Sequence, residues 1–279
     1  MCFLPAPTCS VSCSTRRIVV GNSATGITFD LWQTLIFEVD GYPNSKARRT
    51  ARTERVVSEL ASHGVDLDPD TVRQAFTDLS AEITSGHDHG HDRQFESWVS
   101  ILIERLVPGF EERAGASVIA RIAEQIDMTF VESPPLLIDG CAQVLDELSF
   151  EGHKIGLISN TGLTSPEMYR SWFADIGILD YFDFLAFSNQ QEISKPEARI
   201  FTATIEELEV VPERAMHVGD NLHTDIGGAA AIGMSTAWVK CGISSPVEPT
   251  AEPDYSIESI LELTEIARKW SGKLANQAG

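Results

Sequence analysis

The chain has 279 residues, 43% hydrophobic and 22% charged, with 41 acidic against 21 basic side chains and a formal net charge of −20. That is enough apolar chain for one large domain or two smaller ones, so no disulfide or structural metal is required, and a collagen-like or disordered protein is excluded. So negative a field repels phosphate backbones and anionic lipids, which argues against nucleic-acid or membrane-surface partners.

An anionic substrate therefore needs a locally positive site or a metal. No apolar run approaches the ~20 residues that span a bilayer. The five cysteines are Cys2, Cys9, Cys13, Cys141 and Cys241. An odd count without regular spacing points to a reducing, cytoplasmic setting, and no partner set completes a metal site around the first three. The segment before Gly26 carries Arg16 and Arg17, no acid, and Pro5 and Pro7. It reads as a disordered extension over 1–25 rather than a leader.

Ile27-Thr28-Phe29-Asp30 reads as a short buried strand ending in an acid, followed by a turn-rich stretch around Asp40-Gly41-Tyr42-Pro43-Asn44. The next hundred residues have helical periodicity. The first helix runs from about Ser45 to Ser62. A second opens at Asp68-Pro69, an N-cap with proline at the first helical position, and puts Val72, Phe76, Leu79 and Ile83 on one face. A third carries Phe95, Trp98, Val99, Leu102 and Leu106. A fourth carries Ile119, Ile122, Ile126 and Phe130, and stops at Pro134-Pro135. Four amphipathic helices with short links predict a small bundle over 41–135.

From Leu136 the pattern alternates. Helices are expected over Gln143–Ser149, from Ser165-Pro166, over Glu197–Leu208, over Asp225–Ile232 and near Ile257–Trp270. Strands are expected over Lys154–Ser159, Phe184–Phe187, Ala215–Gly219 and Thr236–Val239. Such repeats predict an α/β fold, a doubly wound parallel sheet built from 26–40 and 136–279, with the bundle inserted after its first strand.

Ligands of open parallel sheets bind beyond the carboxyl ends of the strands. Here those ends carry Asp30, then Ser159-Asn160-Thr161, then Gly219-Asp220-Asn221, and Lys195-Pro196 lies on the connection into the Glu197 helix. Two carboxylates, a hydroxyl and an ammonium thus converge on one rim.

These residues resemble the four motifs of the haloacid dehalogenase (HAD) superfamily of hydrolases. The first is similar to Phe29-Asp30-Leu31-Trp32-Gln33-Thr34-Leu35, the second to Leu157-Ile158-Ser159-Asn160-Thr161. The third is similar to Ser194-Lys195-Pro196-Glu197, the fourth to His217-Val218-Gly219-Asp220-Asn221 through Asp225. The resemblance implies a Rossmann-like core with a helical cap over the substrate. It implies Asp30 as nucleophile, with Ser159 and Lys195 binding the transferred group, and Mg²⁺ held by Asp30, Asp220, Asp225 and the main-chain carbonyl of Trp32. Trp32, Thr34, Asn160 and Thr161 would line the substrate. A hard, oxygen-liganded cation suits this role, because a carboxylate cannot approach a phosphate dianion unaided.

One departure stands out. The family's phosphatases place a second acid two positions after the nucleophile, and here that position is Trp32. A positioned general acid–base is worth roughly 10²–10⁴-fold. Three readings follow. The first is a Mg²⁺-dependent phosphohydrolase acting on a small phosphorylated metabolite whose leaving group needs little protonation. The second is a haloacid dehalogenase, which also lacks that acid but carries a serine where this chain has Asp220. The third is a non-catalytic binding protein of the same fold. Among the remaining candidates, His87-Asp88-His89-Gly90-His91-Asp92 invites a metal reading but is expected to be a solvated loop. Arg48, Arg49, Arg52 and Arg55 form a basic stripe that either pairs with acids such as Glu59 or reaches an anionic substrate.

Overall fold

The computed structural model describes residues 24–38, 42–240 and 248–277. Cys2, Cys9, Cys13, Cys241, Asp40, Gly41 and nearly all of the expected extension lie outside them. Thr25 does not belong to that extension: its hydroxyl lies 2.7 Å from His153 Nδ1, and its carbonyl accepts from the Lys154 N–H.

Six strands form one sheet in the order β5-β4-β1-β6-β7-β8, and every neighbouring pair is parallel. They are β1 (Gly26–Phe29), β4 (Lys154–Ser159), β5 (Phe184–Phe187), β6 (Ala215–Gly219), β7 (Ser235–Val239) and β8 (Tyr255–Ile257). A parallel sheet is covered on both faces, so its strands are apolar without alternation. Accordingly Ile27, Phe29, Ile155, Leu157, Met216 and Val218 are all fully buried. From central β1 the chain builds outward through β4 to β5, then returns to β6 and builds the other way. The order reverses beside β1, which is where such sheets open a crevice.

Helices α6 (Cys141–Phe150), α7 (Pro166–Asp175), α8 (Ser188–Gln191), α9 (Ala198–Glu207) and α11 (Leu263–Gln277) flank the sheet, and a wide helical turn over Leu222–Gly227 leads into the short α10 (Gly228–Ala230). One departure from expectation is small. Ile257 ends a strand instead of opening a helix, and a capping box at Ser259 and Glu262 starts the next helical turn. A two-stranded antiparallel ribbon, β2 (Ile36–Phe37) with β3 (Leu136–Leu137), closes the base of the inserted segment.

That segment holds α1 (Pro43–Ser62), α2 (Pro69–Asp88), α3 (Phe95–Leu106), α5 (Ala116–Glu132) and an unexpected short α4 (Phe110–Ala114). The Asp68 carboxylate caps α2 by accepting from the Asp70 N–H at 2.8 Å. Val56, Leu60, Val72, Leu79, Trp98, Leu102, Ile122 and Ile126 form a core of their own. Phe130 instead joins the core under the sheet, edge-on to Tyr169 and Trp172 with ring centroids 4.9 and 5.3 Å away.

The histidine-rich run is not a solvated loop. His87 and Asp88 complete α2, and Asp92 is buried. One Asp92 oxygen accepts from Ser188 Oγ at 2.5 Å and lies 2.9 Å from His87 Nε2; the other accepts from Trp98 Nε1 and the Arg93 N–H, both at 2.7 Å. His91 bridges to Ile193, and the Ser194 N–H donates to the Gly90 carbonyl. The helical block is thus latched to the segment that carries Lys195. Asp92→Ala would strand at least two buried donors. The expected cost is about 2–4 kcal/mol of unfolding free energy, read by urea denaturation; a loss below about 1 kcal/mol would show that the latch is not under tension.

Candidate active site

Register brings the chemistry together. Phe29 pairs with Leu157 on one side and Val218 on the other. Asp30, Ser159 and Asp220 therefore leave neighbouring strands at the same end. The Asp30 N–H donates to the Val218 carbonyl at 2.8 Å, extending the β1–β6 ladder by one residue. Carboxylate oxygens of Asp30, Asp220 and Asp225 all lie within 4.8 Å of one another. Among the described residues no other cluster of this kind occurs.

Asp225 reaches this cluster because Gly219 has no side chain. A Cβ there would fall onto the Asp225 carboxylate. Asn221 caps the following turn, its side chain accepting from the N–H groups of His223 and Thr224 at 2.9 and 3.0 Å. One Asp225 oxygen accepts from the Asn221 N–H at 2.9 Å; the other faces Lys195 Nζ at 2.7 Å and His217 Nε2 at 3.5 Å.

Lys195 is 1% exposed and donates to Asp30 at 2.5 Å as well as to Asp225. One ammonium thus holds two carboxylates. The two respond differently. Burial pushes the Asp30 carboxyl up to about 6, against the pull of Lys195. Burial alone would raise Asp225 as well, but Lys195 and the bond from His217 hold it below the usual carboxylate range. Lys195 stays protonated because the two acids outweigh its own desolvation.

Ser159 is fully buried, and among the described residues its hydroxyl makes only a long 3.4 Å bond to the Asn160 carbonyl. Asn160, expected to line the substrate, spends its side chain otherwise. Its Oδ1 accepts from the Lys195 N–H at 2.8 Å, and its Nδ2 donates to the Lys195 carbonyl at 3.0 Å. It fixes the backbone that presents the ammonium. Thr161 is likewise committed: its N–H donates to Ser188 Oγ at 2.8 Å, which in turn donates to Asp92.

Thr34 is fully buried, and among the described residues its hydroxyl has no partner. Trp32 is half-buried, and its indole N–H donates to the Tyr169 hydroxyl at 3.3 Å. Burial pushes that phenol up to about 12. The Trp32 carbonyl accepts no backbone hydrogen bond among the described residues.

The basic stripe splits. Arg48 pairs with Glu38 at 2.6 Å and Arg55 with Glu132 at 2.5 Å. Arg52 donates to the Leu163 carbonyl at 2.6 Å, and Arg49 to Ser45 Oγ at 2.7 Å. Glu59, the acid expected beside them, faces Arg121 and His63 instead. Tyr169 and Ser188, two supports of the site, carry no signal in the sequence, since each acts through a partner distant along the chain. His217, by contrast, sits within the fourth motif. Cys141 is a free, buried thiol of the core.

The family model for haloacid dehalogenase-like hydrolase matches residues 24–233. The chain is 28% identical over 262 residues to the glyceraldehyde 3-phosphate phosphatase of Pyrococcus furiosus, covering 92% of this chain and 96% of that protein. It is 26% identical over 256 residues to the ribulose-1,5-bisphosphate 5-phosphatase of Halopiger xanaduensis, covering 87% and 99%. The 2-haloacid dehalogenase structure from Pseudomonas syringae shares the fold with a TM-score of 0.65 and 20% identity, over 88% of this chain and 99% of that one.

Proposed function

We propose that this chain, which belongs to the haloacid dehalogenase-like hydrolases, is a Mg²⁺-dependent phosphohydrolase that forms an aspartyl phosphate on Asp30 from a small phosphorylated metabolite. The observation that carries the reading is the carboxylate cluster of Asp30, Asp220 and Asp225 against buried Lys195. Its donors are all hard oxygens, as Mg²⁺ prefers, and the Trp32 carbonyl supplies a further one. When bound, the cation offsets charge between the carboxylates and an incoming phosphoryl group. The phosphatase names of the relatives at 28% and 26% identity support the same class.

Each residue has a task in this reading. Asp30 attacks phosphorus, and the bond to the leaving oxygen breaks. Lys195 neutralises charge on the transferring oxygens while holding Asp30 in line. Ser159 offers its loosely bound hydroxyl to the same oxygens. The helical block over 41–135 acts as a cap that excludes water, and 26–40 with 136–279 form the catalytic domain. No helix among the described residues is long and apolar enough to cross a membrane.

A dehalogenase reading is favoured by one observation, Trp32 in place of an acid, since departing halide needs no proton. Asp220 opposes it. Phosphate release from acyl, aryl and alkyl phosphates, and halide release from 2-haloacids, measured with Mg²⁺ and with a chelator, separates the two. Phosphate release that the chelator abolishes is the expected result; halide release unaffected by it would replace this reading. The Mg²⁺ concentration needed for half-activity is also expected to rise as pH falls through about 6. The protonated form of Asp30 that appears there must lose its proton to bind the cation. A flat Mg²⁺ requirement from pH 7.5 to 5 would mean that Asp30 is not a ligand.

A further inference from the structure

A cleft runs between α1 and α2 down to the residues that follow Ser159. It consists of two cavities, about 290 and 240 Å³, that share Arg52, Ser80 and Leu163. Arg49, Arg52 and Arg73 line the first; Arg52, His87, Asn160 and Thr161 line the second. No acidic side chain lines either one. That is unexpected for a chain with 41 acids against 21 bases.

Two of the three guanidiniums are not spent on ion pairs with the protein itself. Among the described residues neither Arg49 nor Arg52 has a carboxylate within ion-pair distance. Arg52 bonds Thr129, Leu163 and Thr164 through Nε and Nη2, and among the described residues Nη1 has no partner. Burial and the nearby Arg48 lower Arg52 to about 10 against the weaker pull of Asp127 and Glu38, so it stays cationic at neutral pH. Arg73 is paired with the exposed Asp70. Gathering like charges in a partly desolvated cleft is unfavourable unless an anion answers them.

The cleft floor is the Asn160-Thr161 segment, and Asn160 follows Ser159 directly. A molecule whose phosphoryl group sits between Asp30, Ser159 and Lys195 therefore has the mouth of this cleft beside it. We propose that the cleft is a second anion site, and that the substrate is a phosphorylated compound carrying another phosphate or a carboxylate at its far end. Arg49 and Arg52, with Arg73 at the outer end of the cavity, take the group that is not attacked. The inference rests on the phosphohydrolase reading and narrows its substrate class.

Three six-carbon compounds test it: glucose 6-phosphate with one anionic group, 6-phosphogluconate with an added carboxylate, and fructose 1,6-bisphosphate with an added phosphate. The expected kcat/KM for the better of the latter two exceeds that for glucose 6-phosphate by about 10- to 100-fold, the worth of a charged hydrogen-bonded contact. Which of them leads identifies the anion. The Arg49→Gln/Arg73→Gln double variant is expected to lower that ratio at least about tenfold, while Arg121→Gln on the outer face of α5 leaves it alone. Calorimetry with the Asp30→Asn protein measures the same preference without turnover. If phosphate is released from all three at similar kcat/KM, the second site is wrong and the phosphohydrolase reading stands. If none is hydrolysed but the binding preference is present and falls in the double variant, the site stands and the reaction assignment fails. Equal binding of all three, or of none, overturns the site.

Discussion

Replacing Asp30 by asparagine is expected to lower hydrolysis by about 10⁴-fold or more while leaving the fold in place. The amide is not a nucleophile, and it removes one of the three carboxylates in the cluster. The fold should survive because Lys195 keeps its 2.7 Å contact with Asp225, and an asparagine carbonyl still accepts from the same ammonium. The Asp30 N–H bond to Val218 involves only backbone and is untouched. Turnover assays alongside far-UV circular dichroism check both halves. Retained wild-type turnover in a folded variant would remove Asp30 from the chemistry altogether.

The second large effect concerns Trp32. With an indole where an acid would protonate the leaving oxygen, kcat/KM, which reports the phosphorylation of Asp30, is expected to depend steeply on leaving-group pKa. Acyl and activated aryl phosphates should phosphorylate Asp30 quickly, and alkyl phosphates slowly. Tyr169 is fully buried, and its hydroxyl is engaged by the Trp32 N–H rather than free beside the leaving group. Trp32→Asp should therefore accelerate alkyl phosphates, with a ceiling of the roughly 10²–10⁴-fold that a positioned acid–base is worth. Loss of the indole's packing takes back part of this gain. A shallow dependence on leaving-group pKa in the wild type would show that some other group delivers the proton.

The strands of the centre were legible because each is a continuous apolar run bounded by turn residues. Lys154–Ser159, Phe184–Phe187 and Ala215–Gly219 have the bounds read from the sequence. β8 was not legible. Tyr255–Ile257 is only three residues long, and its apolar Ile257 runs on into the helical periodicity that follows. The two-residue strands of the ribbon carry no period at all. At the site, the strand-end acids follow from motif and topology, whereas their supports do not. The bond from Ser188 to Asp92 spans 96 positions, and the clamp of Asn160 on Lys195 spans 35. Side chains that act through such partners look, in sequence, like substrate contacts or loop residues. The histidine-rich run, expected as a solvated loop, is such a case.

The missing acid also bears on the second half of the reaction. The group that protonates the leaving oxygen in the family's phosphatases is the one that activates water against the aspartyl phosphate. Without it, an acyl or aryl phosphate is expected to phosphorylate Asp30 faster than water clears it. The phosphoenzyme should then accumulate, and product should appear as a burst. The most direct measurement is to quench the protein with acid during turnover of an activated phosphate and map its peptides by mass spectrometry. The account predicts one phosphoryl group on the peptide carrying Asp30, absent when Asp30 is asparagine. Steady phosphate release with that peptide unmodified, or the label on another residue, would contradict it.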